Sequence, residues 1–362
     1  MNIKINSVLA IAALIITGCS AQSGALPTLQ PLPLEPDWTV DDQIGIGDVC
    51  IVADGKIAAA SLVGSVCILD GQRGNTVDEF TPFPQGTFKI SYAPQANVIA
   101  SRGRDGTSIH IHSCQENGGE ITVQNLMFRH FGISQDAAII AVVPFGENSA
   151  VTVVDMLTQK RTQVSPQQIP NEQQPEFTDS WHVLKLNSDG SQLFIGHPAG
   201  VFLYDISSQR KLFSLIRSKE QRSLKVFTSD DNCEFGLIWH DQLEVVDFKS
   251  GKVIATAKVP NIPERDPTGI SLAPYRPFRL LPQKGLAIGT VRRRVQTPLY
   301  ALVWKYTQPT KFTFAKVSDF FDYNACDISA DGRFLGIAST DGSKVSKFDL
   351  TPLISSVGDT SH

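Results

Sequence analysis

Few residues in this 362-residue chain have types and spacings suited to chemistry. His110 and His112 alternate along one predicted strand, so their imidazoles share a face and can offer a metal ion two nitrogen ligands. No Cys-x-x-Cys, no HExxH and no third ligand at a fixed spacing accompanies them, so the pair reads as packed strand side chains. The run Arg292-Arg293-Arg294 offers guanidinium forks that match carboxylate or phosphate groups. Asp70, Asp155, Asp205, Asp247 and Asp349 recur at predicted strand ends, where a carboxylate hydrogen-bonds nearby backbone N–H groups. They belong to different repeats and cannot converge on one substrate. Gly269-Ile-Ser271-Leu-Ala273 lacks the second glycine of a nucleophile elbow, and no glycine-rich phosphate loop leads into a helix. No catalytic residue and no cofactor is expected.

The elements that must position these groups follow from composition and repeats. Lys and Arg number 32 against 36 Asp and Glu, a net charge of −4, which argues against a nucleic-acid binder. Past residue 45 the chain alternates apolar and polar residues between turn dipeptides, with no convincing amphipathic helix. The clearest unit is CDISADGRFLGIASTDGSKVSKFDL at 326–350, and related units fill the chain from residue 48. Their third strands end at Asp70, Ser113, Asp155, Asp205, Asp247, Lys305 and Asp349, at spacings of 43, 42, 50, 42, 58 and 44 residues. A fourth strand fits between units, as at Thr76 to Phe80 and Lys252 to Lys258. The expected fold is all-β: a seven-bladed β-propeller of four-stranded antiparallel blades.

A propeller leaves two open sheet edges unless its ring closes. Trp38 to Ile44 is expected to supply the outer strand of the seventh blade, with Leu353 to Val357 as the competing candidate. The expected organisation is therefore a signal peptide at 1–18, a Pro-rich linker at 19–37, the propeller at 38–352 and a tail at 353–362. The linker reads as an extended spacer, or as a strap packed on the body through Leu26, Leu29, Leu32 and Leu34. Cys50, Cys67, Cys114, Cys233 and Cys326 are odd in number. Cys50 and Cys67 fall on the first and third strands of one blade, too far apart to bridge, so mostly buried thiols are expected.

In a propeller the second-to-third-strand loops and the blade-to-blade loops emerge on one face. The long connections Ser165–Ser180, Pro260–Pro277 and Thr290–Pro298 all belong to those classes. They would gather Arg292, Arg293, Arg294, Arg265, Tyr275 and Trp181 on one surface, together with Arg102 and Arg104. Elaborated loops on a rigid scaffold are where binding resides.

Two resemblances add to this reading. Lys4, the apolar run Val8 to Ile16 and the ending Ile16-Thr17-Gly18-Cys19 resemble the lipobox of bacterial lipoproteins. That resemblance implies export, lipid (palmitate and diacylglycerol) on Cys19 and a membrane anchor. Ser20 after the cysteine implies the outer membrane, facing the periplasm, in a Gram-negative cell. Residues 40–351 resemble the broad WD40-like and YVTN-like bacterial propellers in blade pattern. The residues before the turn aspartates are Leu69, Val154, Tyr204, Val246 and Phe348, never Trp, so this likeness implies fold and hardly function. The expected function is a non-enzymatic, lipid-anchored interaction platform in the envelope, engaging an envelope protein or an anionic envelope polymer. The alternatives are a lactonase-like or quinoprotein-like enzyme with its site in the channel mouth, or a carbohydrate- or peptidoglycan-binding module using Trp181 and Tyr275.

Overall fold

Strands buried on both faces read as unbroken apolar runs, and those half exposed alternate. Both kinds occur here. Ile57–Ser61 is buried at all five positions and Leu299–Lys305 at six of seven, while Val253–Lys258 alternates between exposed and buried. The first kind lies between neighbouring sheets, and the second forms the outer wall. The computed structural model describes residues 31–41, 45–115, 118–144, 150–164, 183–197, 200–216, 225–231, 233–239, 242–259, 273–292, 299–318, 323–339 and 343–358.

Seven four-stranded antiparallel sheets form the body, and six of them follow sequence order from the innermost strand outward. The innermost strands are Ile46–Ile51, Thr87–Ala93, Phe128–Ile133, Val183–Leu186, Lys225–Thr228, Ala273–Leu281 and Tyr323–Ile328. This is a seven-bladed β-propeller, as expected. The seventh sheet is assembled from both chain ends: Trp38–Asp41 pairs antiparallel with Lys344–Asp349, Trp38 opposite Lys347 and Asp41 opposite Lys344. The N-terminal segment therefore closes the ring. The competing C-terminal candidate is not a strand, because Thr351–Gly358 forms a helix. Leu353 and Val357, one turn apart, are both buried on the blade-six and blade-seven core. The Asp349 Oδ1 accepts the Thr351 N–H at 2.8 Å and starts the helix.

The Pro-rich segment does not stand free of the body at its C-terminal end. The Leu32 N–H donates to the Phe314 carbonyl at 2.9 Å, and Leu32 pairs in parallel with Ala315. Leu32 and Leu34 pack on the same core cluster as the helix. Residues 31–37 are thus a strap, and the spacer reading fails for them.

The turn aspartates act on backbone. Asp70 Oδ1 accepts the N–H groups of Gln72 and Arg73, and Asp155 Oδ1 those of Leu157 and Thr158. Asp247 accepts the Ser250 N–H at 2.6 Å. Bonds from Ser208 and Ser207 hold the Asp205 carboxyl down to about 2. No disulfide joins the described cysteines. Ala59, opposite Cys67, lies on the strand between the Cys50 and Cys67 strands.

Candidate functional site

The innermost strand of each blade has a free edge that faces the ring axis, and five of the seven carry a bulge near their start. The register shifts fall between Ile46 and Asp48, Thr87 and Lys89, Phe128 and His130, Tyr275 and Phe278, and Tyr323 and Ala325. An extra residue turns the following side chains. The free edge also accommodates Pro274 and Pro277, which lack a donor N–H. The strand of blade six therefore begins at Ala273 rather than after Pro277. Tyr275 pairs with Thr290 inside it and is not part of a loop.

The strands enclose a cavity of about 1240 Å³ whose lining includes Asp48, Lys89, Lys185, Asp230, Arg279 and Asp327. Sequence reasoning found no such charged ring. The usable signal was a charge in an otherwise apolar first strand, as in IGDVCI at 46–51.

Each carboxylate ties blades together. Asp48 Oδ2 accepts Lys89 Nζ at 2.8 Å and the Ile90 N–H at 2.9 Å, linking blades one and two. Asp327 Oδ2 accepts the Ile51 N–H at 2.9 Å, linking blades seven and one. Burial pushes the Asp327 carboxyl above its usual range. Asp230, just past the inner strand of blade five, accepts Lys185 of blade four and Arg279 of blade six, the latter at 2.7 Å. Burial raises the Asp230 carboxyl, but the two cations outweigh it and leave it below the usual range. Cys50 and Cys326 also line the cavity, and burial raises both thiols well above their ordinary values, which removes thiolate nucleophilicity.

Arg102 does not belong to the exposed surface expected of it. It lies inside a strand opposite Lys89, is 8% exposed, and sits near the rings of Phe88 and Phe128 at 5.7 and 5.6 Å. Arg104, two residues on, is in the turn and exposed. Arg292 ends the second strand of blade six, directly opposite Ala273. That pairing marks one end of the blade with Ala273 and Arg292. Strand direction puts Val164 and Val183 at the same end of the ring. Arg265, Trp181, Arg293 and Arg294 lie outside the described residues.

The same rim carries an apolar feature that the sequence reading missed. Leu62 and Val63, in the blade-one loop, are 46% and 62% exposed. Phe88, at the blade-two bulge, is 52% exposed, and Met127, before the blade-three strand, is 62% exposed. The loops that carry them are tied together. The Phe128 N–H donates to the Gly106 carbonyl at 2.8 Å, and Thr87 Oγ1 donates to the Gly64 carbonyl at 2.8 Å. No protein-family model matches the chain.

Proposed function

We propose that this chain is a non-enzymatic, lipid-anchored β-propeller of the broad WD40-like and YVTN-like kind, serving as a protein-interaction platform in a bacterial envelope. The observation that carries the reading is the rim itself. Leu62, Val63, Phe88 and Met127 expose apolar surface on three adjacent blades, beside Arg104 and at the end of the ring that carries Val164, Val183, Ala273 and Arg292. Exposed apolar side chains rimmed by polar ones mark protein-binding surfaces. Exposed Arg104 beside them favours an acidic partner, and the apolar centre favours a protein over an anionic polymer. The channel carboxylates support the same reading, because their bonds are spent on holding blades together. A channel enzyme is the second reading, favoured by the volume of the cavity.

A photo-crosslinking residue tests the rim in cells that make the full lipidated chain. At Val63 it is expected to give one discrete protein adduct, and at Leu157, 92% exposed on the opposite rim, none. Phe88→Asp with Met127→Asp should lower the Val63 adduct at least tenfold, and Ala at Arg292, Arg293 and Arg294 should make it less salt-sensitive. Equal adducts from both rims would end the platform reading. Adducts to glycan alone would replace the protein partner with a polymer.

The anchor rests on the sequence Ile16 to Cys19. Cys19→Ala should abolish labelling by a palmitate analogue and leave the precursor uncleaved, and undiminished labelling would refute the lipobox.

A further inference from the structure

We propose a zinc-class metal site on the side of the ring, built by His110, His112 and Glu120, with Asp78 and Thr122 as outer partners. Sequence spacing hid the third ligand because it comes from strand register. His110 and His112 are on the third strand of blade two, and Glu120, on the outer strand, lies directly opposite His112. One ligand atom from each of the three can be chosen so that all lie within 4.8 Å of one another. Glu120 Oε1 is 3.1 Å from His112 Nδ1 and 3.7 Å from His110 Nε2. Ligand atoms bound to one tetrahedral zinc at 2.0–2.1 Å are about 3.4 Å apart, so both edges fit with shifts of a few tenths of an ångström.

The remote nitrogens point the same way. A metal-bound histidine donates its other ring N–H to an oxygen, which fixes tautomer and orientation. His110 Nδ1 is 3.2 Å from Thr122 Oγ1. His112 Nε2 is buried and makes no hydrogen bond, with Asp78 Oδ2 of blade one 3.5 Å away. A metal on Nδ1 leaves an N–H on Nε2, which can donate a hydrogen bond to that carboxylate. The Phe80 ring stacks on His112 at 3.8 Å and 8°, which holds the imidazole plane. The His110 and His112 side chains are 11% and 14% exposed, while that of Glu120 is 53% exposed, so the ion would enter past Glu120 and keep water as its fourth ligand.

Two imidazoles and one carboxylate suit Zn²⁺, Co²⁺ or Cu²⁺ rather than Mg²⁺ or Ca²⁺. The test uses the full chain in detergent, stripped with chelator and titrated with ZnCl₂ against a chromophoric competitor. One equivalent is expected to bind at least 100-fold more tightly than in His112→Gln or Glu120→Gln. Cobalt should give a tetrahedral d–d absorption that His110→Gln removes. Asp78→Asn should weaken binding by about 10- to 100-fold while keeping the cobalt spectrum. Glu120→Gln changes an exposed residue isosterically, so its metal-free melting temperature should match that of the parent. Zinc binding that is absent, or that is unchanged in His110→Gln and Glu120→Gln, overturns the site and assigns any bound ion to the thiols or elsewhere.

Discussion

Trp38→Ala should destabilise the fold by about 3–5 kcal/mol, the usual cost of truncating a buried tryptophan. Trp38 is 8% exposed, belongs to the core between blades seven and one, and donates its indole N–H to the Gly71 carbonyl at 3.3 Å. Its backbone also carries part of the ladder that closes the ring. Deleting 38–41 should cost more, because it opens a sheet edge and uncovers Lys347, whose side chain is 4% exposed beneath the strand. A gentler probe is Gly74→Ala. Its Cβ would lie 2.7 Å from Val40 Cγ2 and 2.8 Å from the Trp38 ring, at a residue with φ +74°, so the closing strand must lift. Thermal unfolding followed by circular dichroism reads all three variants. A melting temperature within one degree of the parent in the deletion would show that the strand contributes nothing to stability.

Asp230→Asn should cost about 3 kcal/mol at pH 7, because it leaves Lys185 and Arg279 together in the channel without their counter-charge. All three side chains are 20–30% exposed, so water screens part of the loss and the upper range for a fully buried pair is not expected. The sign of the pH dependence follows from the carboxyl. Its folded value is depressed, so its stabilisation is complete above its unfolded value near 3.8 and is lost as pH falls through the folded value. The gap between parent and Asp230→Asn should therefore be full at pH 7 and at pH 4, and should narrow only as pH falls further below 4. Urea unfolding at pH 7 and well below pH 4 measures it. An equal gap at both would remove the ion network as its cause.

Five of the third-strand ends were legible because each carries an aspartate with a local job. A carboxylate that accepts N–H groups two and three positions on is written in the sequence around Asp70 or Asp155. Closure by Trp38 was legible too, since only one segment before the first repeat has strand character. The C-terminal helix was not. TPLISSVG is short and rich in β-branched residues, and its helical form depends on covering blade six and blade seven with Leu353 and Val357. The channel charges were hidden for a related reason. Asp48, Lys185 and Asp327 sit in strands whose outward partners come from other blades, so no spacing within one repeat reveals the pairs. The third metal ligand was hidden by register in the same way.

The closing strand also sets an order in time. Thr39 and Ser346, whose hydroxyls meet at 2.9 Å, are 307 positions apart. Loop-closure entropy over that separation, (3/2)RT ln n, is about 5 kcal/mol if the chain between is unfolded. It becomes small once six blades have already brought the ends together. Blades one to six can each be completed from contiguous chain, but the seventh needs the first strand to be made and the last. A chain that emerges N-terminus first must therefore carry Trp38–Asp41 unpaired until residue 349 is free. For that interval the ring is open on both flanks, and its newest and oldest strands are the ones most exposed to proteases and to pairing with a neighbouring chain.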